Sequence, residues 1–394
     1  MTVNDAATFP GLSAAEIRAA GGEWTAREIA QQPQVWPEIA RQVGADQRLA
    51  TFLAPLLSNR ALRIVLTGAG SSSYIGQCLA PALSRAGRVA AAIPTTDIVA
   101  SPQGTLAAGA PTLMVHFARS GNSPESAATL DLAERQIDSC HHLIVTCNAA
   151  GELHRRAAAL RHACSLVLPD ACNDRSFAMT SSFTGMVLAA GLALRVFPAD
   201  EARIGRLAGL GARILTAQSS LLSTLVRAQF ERVAYLGSNE LRGLALESAL
   251  KMLELTDGKI VSLGESPLGF RHGPKTIVNG STLVVVFLSN DAYTRRYDLD
   301  LLEELRSDAV AGRVIALSGT RDLAHDHDTV VLEAGHQAHP LSDNELLLPY
   351  AAFSQTLALL RSVSLGLSPD NPNAAGTVSR VVQGVTLHPF PTAS

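Results

Sequence analysis

The chain has 394 residues, 47% of them apolar and 17% charged, with a formal net charge of −3. That length implies two or three domains, and the composition supports large cores and excludes a disordered chain. A near-neutral balance and an isoelectric point near 6.4 leave no basic footprint for nucleic acid or an anionic membrane. The opening MTVNDAATFPGLS lacks the basic-then-apolar layout of a secretory signal. The apolar run Gly185–Leu194 is too short to cross a bilayer and is closed by Arg195. Five cysteines (Cys78, Cys140, Cys147, Cys164, Cys172) show no C-x-x-C spacing and read as reduced and structural. The expectation is a cytoplasmic protein with no membrane or nucleic-acid partner.

In chain order, residues 1–50 read as a helical arm, with apolar residues at three- and four-residue spacing. Thr25 is the expected N-cap, with Glu28 completing a capping box. Trp24 and Trp36 favour packing of this arm on the first α/β domain. That domain reads over residues 51–205, with strands at Leu62–Thr67, Thr112–Phe117, His142–Cys147 and Leu166–Leu168 and a closing helix over Phe183–Val196. Residues 206–366 read as a second, entered through a helical connector over Arg203–Gln229. Its expected strands are Val233–Leu236, Lys259–Leu263, Thr282–Leu288, Val314–Leu317 and Thr329–Leu332, and its last helix is Glu345–Val363. Strands separated by helix-length segments imply parallel sheets flanked by helices, a three-layer αβα unit written twice. The tail, 367–394, is expected to dock through Val381 and Val382.

The two halves share a layout. RIVLTGAGSSSY and HFARSGNSPES in the first correspond to ERVAYLGSNELRG and LVVVFLSNDAY in the second. Gly70 to Ser120 spans 50 residues and Gly237 to Ser289 spans 52, as expected of tandem domains on one plan.

Chemistry belongs beyond the carboxyl ends of such strands, where glycine turns feed helix N-termini. Gly70 with Ser71 and Ser72 follows the first strand, and Arg119, Ser120 and Ser123 follow the next. Hydroxyls and main-chain amides at helix starts suit a phosphate; the same serines also serve as caps. GAGSSSYIG is neither a dinucleotide fingerprint nor a P-loop. On the helix LRGLALESALKMLEL, Glu247, Lys251 and Glu254 share a face. That is either a surface salt-bridge ladder or the acid–base set that sugar-phosphate proton transfer needs. His272 stands in the glycine- and proline-punctuated GESPLGFRHGPK. The histidines are spread along the chain, and Asp322, His325, Asp326 and His327 form no convincing ligand set, so no metal and no cofactor is expected.

GAGSSS, SGNSPES, ALESALKMLEL and the RHGP segment, in that order, resemble the sugar isomerase (SIS) domain family, as two tandem SIS domains over residues 50–394. They resemble the isomerase half of glucosamine-6-phosphate synthase. More closely, ARSGNSPES, LGFRHGP and SPDNP…VSRVVQGVT resemble the group of tagatose-6-phosphate ketose/aldose isomerases and galactosamine-6-phosphate deaminases. The resemblance implies that Ser72, Ser120 and Ser123 hold a sugar phosphate and that Glu254 is the C1/C2 proton-transfer base, with Lys251 one turn earlier. It implies that His272 opens the sugar ring from the neighbouring subunit, making a homodimer or homotetramer. Ala118 and Arg119 stand where the synthase has serine and glutamine, which places Arg119 among the candidate phosphate contacts. Thr377 stands near the synthase's tail lysine, which argues against a Schiff base from the tail. Position 2 is Thr2 and no glutaminase domain precedes the first SIS domain, so deamination of a hexosamine 6-phosphate is the expected direction. The implied substrate is galactosamine 6-phosphate, giving tagatose 6-phosphate and ammonia. The alternatives are plain ketose/aldose isomerisation, a sugar-amine-phosphate deglycase using Arg175 or Arg271, and a non-catalytic sugar-phosphate sensor.

Overall fold

A computed structural model of the protein describes residues 9, 12–217, 219–323, 326, 328–332, 339–382 and 384–391. Among these, ten strands form two all-parallel sheets. The first holds β1 (Arg63–Thr67), β2 (Val89–Ala92), β3 (Thr112–Ala118), β4 (Cys140–Thr146) and β5 (Ala163–Val167), in the spatial order β2-β1-β3-β4-β5. The second holds β6 (Arg232–Gly237), β7 (Val261–Glu265), β8 (Thr282–Phe287), β9 (Arg313–Ser318) and β10 (Thr329–Val331), in the order β10-β9-β8-β6-β7. Taken from the opposite edge, this is the same topology. In each sheet the order reverses beside the first strand, which opens a crevice at the carboxyl ends of β1 and β3, and of β6 and β8.

The duplication extends to single residues. A Cβ on Gly68 would stand 2.6 Å from the Ser72 Cβ, and one on Gly237 would stand 2.5 Å from the Leu241 oxygen, each four residues on. Two residues after each glycine comes a helix N-cap in the same unusual conformation: Gly70 (φ 55, ψ −130) and Asn239 (φ 50, ψ −118). Gly68, not Gly70, is therefore the counterpart of Gly237, which shifts the sequence pairing by two residues.

Alternate strand residues face opposite layers. Ile64, Leu66, Val233 and Tyr235 enter one core that runs through both halves, whereas Val65 and Ala234 face separate outer clusters. The shared core contains the helix Ser181–Ala193, buried at every residue, and the helix Asp343–Ser364. The latter is long and apolar enough to cross a membrane, but it is 94% buried as a core helix.

The structure departs from the sequence reading at three points. β2 was not read from sequence: VAAA is alanine-rich and occupies a half-exposed edge. Thr25 is not a cap. It lies inside the helix Glu23–Ala45, and its amide and hydroxyl donate to Asp370 (2.8 and 2.7 Å), so the arm is tied to the tail. Val382 does not dock and is 53% exposed. The tail is held instead by Asp370, by Arg380 and by Phe390, which packs against the outer face of the first sheet. Asp322 and Asp326 pair with Arg295 and Arg306; His325 and His327 lie outside the described residues.

Candidate active site

Gly70 turns the chain out of β1 into the helix Ser71–Arg85, which has no side-chain cap. Ser71 and Ser72 are buried at its start, and the Ser72 hydroxyl points to the Met179 sulfur at 3.7 Å. Beyond β3, Ser120 accepts from the Asn122 amide at 3.3 Å, and its carbonyl accepts from Asn148 Nδ2 at 2.8 Å. Ser123 caps the helix Pro124–Gln136 through the Ser126 amide. Its capping role is thus real, and its hydroxyl also meets that of Ser126 at 2.7 Å.

The helix Glu240–Leu255 crosses the serine helix at Gly243. A Cβ there would stand 2.6 Å from the Cys78 nitrogen, so only glycine permits this approach. Glu240 pairs with Arg85 at one end of the contact. One turn beyond Gly243, Glu247 and then Lys251 are carried inward, and their side chains are 2% and 1% exposed. The surface-ladder alternative is thereby excluded for this pair. The Lys251 ammonium donates to Glu254 and stands 3.6 Å from Glu247 Oε1. Burial pushes the Glu247 carboxyl up to about 8, against the opposing pull of Lys251. Burial also works against the Lys251 charge, but Glu247 and Glu254 outweigh it and raise its pKa. One ammonium is therefore shared between Glu254 and Glu247, and burial favours the protonated form of Glu247 at neutral pH. The Ser71 hydroxyl lies beside Glu247, and the half-buried Tyr74 lies within reach of Glu247, Lys251 and Glu254.

Arg119 is buried within electrostatic reach of Glu254 and Lys251. Its guanidinium donates to the carbonyls of Phe177 (3.1 Å), Ser176 (3.5 Å) and Arg380 (2.9 Å). Arg380 in turn donates to the carbonyls of Ser176 and Asp174. The tail therefore reaches the site through Arg380, whereas Thr377 is exposed and bonds Asn373.

Sequence reasoning missed the carboxyls that shape the 174–182 loop. Glu28 accepts from the Arg175 amide and the Ser176 hydroxyl, both at 2.5 Å. Asp174 accepts from the amides of Thr180 and Ser182 and from the Ser182 hydroxyl. Burial, then the charge of Asp174, pushes Glu28 up to about 8, and burial raises Asp174. The available signal was Asp174 six residues ahead of Thr180-Ser181-Ser182, which open an apolar helix.

Among the described residues, His272 makes no hydrogen bond or ion pair with this cluster. It is exposed, C-capping the helix Pro267–Arg271, and is followed by Gly273 at φ 125. Of the deglycase candidates, Arg271 pairs with Glu304 and Arg175 stacks 4.5 Å over the Trp24 ring.

A model described as SIS domain matches residues 56–195. A Streptomyces coelicolor relative is 48% identical over 377 residues, covering 92% of this chain and 95% of its own length. The D-galactosamine-6-phosphate deaminase AgaS of Shewanella sp. ANA-3 is 42% identical, with 96% and 95% covered. Among solved structures, the tagatose-6-phosphate ketose/aldose isomerase of Escherichia coli superposes with a TM-score of 0.87 at 40% identity, covering 95% of this chain and 98% of that one. With relatives this similar along nearly its whole length, and with two sheets of one topology, the chain belongs to the SIS domain family.

Proposed function

We propose that this enzyme deaminates and isomerises D-galactosamine 6-phosphate to tagatose 6-phosphate and ammonium. The observation that carries the reading is a buried lysine shared by two carboxyls beside a serine-rich helix start at the carboxyl end of a parallel sheet. Relatives named as galactosamine-6-phosphate deaminases match along almost the entire chain.

In this reading Ser72, Ser120 and Ser123, with Gly70, Ser71 and the adjoining amides, hold the phosphate, and Arg119 fixes the tail beside it. The partner subunit's His272 passes a proton from O1 to the ring oxygen, so a cytoplasmic homodimer is the smallest active unit. Glu254, acting as the carboxylate base, removes the C2 proton, the C–H electrons move into C1–C2, and O1 takes a proton from solvent as the C1 carbonyl becomes hydroxyl. Returning the proton to C1 gives a C2 imine. Water adds to it, ammonia leaves, and the ketose remains. Lys251 holds Glu254 in place through its ammonium; Glu247, holding its proton, adds no second charge. Plain isomerisation uses the same proton shuttle on a 2-hydroxy sugar, and the name of the E. coli structural neighbour favours it as the second reading.

Ammonium release from galactosamine 6-phosphate and from glucosamine 6-phosphate, assayed separately, tests the proposal. Release from the galacto sugar alone is expected. No release from either, with solvent deuterium entering tagatose 6-phosphate, would replace it with the plain isomerase.

A further inference from the structure

The histidines that are spread through the sequence of the first half gather in space. The cluster lies at the amino-terminal edge of the first sheet, opposite the serine-bearing ends. Cys140 opens β4 and His142 follows two residues on; Glu134 lies near the end of the helix Pro124–Gln136, and His162 immediately precedes β5. His142 Nε2 is 2.8 Å from Glu134 Oε1 and 3.4 Å from Cys140 Sγ. His162 Nε2 is 2.9 and 3.0 Å from the two Glu134 oxygens. The ligand atoms of Glu134, Cys140 and His142 all lie within 4.8 Å of one another.

We propose that Glu134, Cys140, His142 and His162 form a binding site for a divalent, thiophilic cation, with Zn²⁺ the best match. One thiolate, one carboxylate and two neutral imidazoles make a four-coordinate set that zinc favours, and their two negative charges neutralise the ion. Metal bonds of about 2.0–2.3 Å separate tetrahedral ligands by roughly 3.3–3.8 Å. The contacts among Glu134, Cys140 and His142, 2.8–3.4 Å, therefore need to open by less than about 1 Å, while His162, now held at Glu134, has to swing toward Cys140 to complete the set. His142 Nδ1 faces His116 Nε2 at 3.0 Å, which leaves Nε2 for the metal and gives the ring an outer partner that sets its tautomer.

Hydrogen bonding alone accounts for the carboxylate and two imidazoles but not for the thiol. When His142 Nε2 donates to Glu134, it has no lone pair left for the Cys140 S–H, and the buried sulfur is a weak acceptor at best. As a metal ligand the Cys140 thiol would bind as the thiolate. Binding would release its proton to solvent. Entry is open, because the Glu134 and His162 side chains are 26% and 37% exposed. The site would clamp the helix that begins at Ser123 onto β4 and β5, away from the reacting sugar.

The full-length protein, stripped with chelator, should be titrated with Co²⁺ alone. One ion per chain is expected, with tetrahedral ligand-field bands and sulfur-to-cobalt charge-transfer absorption. Zn²⁺ should displace it and raise the melting temperature. Cys140→Ser should abolish the charge-transfer band while keeping native circular dichroism and wild-type turnover, and Glu134→Gln should weaken binding at least tenfold. Absence of tetrahedral bands at saturating Co²⁺, or a charge-transfer band that survives in Cys140→Ser, would overturn the assignment.

Discussion

Lys251 Nζ stands 3.6 Å from Glu247 Oε1 one turn earlier on the same helix, and both side chains are closed to solvent. A buried ammonium is tolerated only because carboxyls surround it. Lys251→Met removes the cation but leaves Glu254 and Glu247 in place. Breaking a buried pair this way costs on the order of 3–5 kcal/mol. Urea unfolding should show a loss of that size, with kcat reduced more than KM. Wild-type stability in this variant would mean that the lysine carries no charge in the folded protein.

The pH dependence of folding is set by the raised carboxyls. Glu247 and Glu28 each sit near 8 in the folded chain, well above the ordinary carboxylate value of 4.5. The folded state then binds more protons than the unfolded state between about pH 4.5 and 8, so stability falls as pH rises through that window. The stability that each group contributes is fully present below about 4.5 and lost through about 8. Each contributes a slope of up to about 1.4 kcal/mol per pH unit. Melting followed from pH 5 to 8 should decline in the wild type, less in Glu247→Gln, and least when Glu28→Gln is added. A profile equally steep in all three would remove both carboxyls from the linkage.

Gly243 tests whether helix spacing places the acid–base cluster. Alanine adds about 1 kcal/mol of helix propensity. Its Cβ, however, would meet the main chain of Gln77 and Cys78 at 2.6–2.7 Å, and neither atom can rotate away. Overpacking of this kind costs about 1–3 kcal/mol, so the net change is expected to be destabilising. Because the same contact carries Glu247 and Lys251 to Ser71, kcat should fall as well. A stabilised, fully active Gly243→Ala would show that the helices slide freely.

Much of the fold and of the cluster on this helix was legible in the sequence, because both signals involved are local. Apolar runs between glycine turns marked nine of the ten strands, and spacings of four and three put Glu247, Lys251 and Glu254 on one face. Spacing fixes which side chains are neighbours but not whether they are buried. Burial here is decided by Gly243 meeting Cys78, a contact between halves of the chain. Glu28 finds its partners 147 and 148 residues away, and Asp370 reaches back to Thr25, so neither role has a local signature. The histidine cluster was invisible for a related reason. Its members come from neighbouring strands and a crossover helix, and the β3–β4 register, with Met114 opposite His142, sets His116 diagonally beside it.

His272 supplies the test of subunit architecture. Its side chain is exposed, and among the described residues it makes no hydrogen bond or ion pair with the Glu254 cluster of its own chain. In the proposed mechanism each active site joins Glu254 of one chain to the partner subunit's His272. Glu254→Gln and His272→Ala should each lower turnover by about 10²–10⁴-fold. Mixed and allowed to reassociate at equal concentration, the two variants would form roughly half heterodimers. Each heterodimer would hold one site with both residues intact, so about a quarter of wild-type activity should return. If His272 acted within its own chain, every site would still lack one group and the mixture would stay inactive. Recovery that rises with incubation time and halts on crosslinking each variant beforehand would tie the activity to subunit exchange.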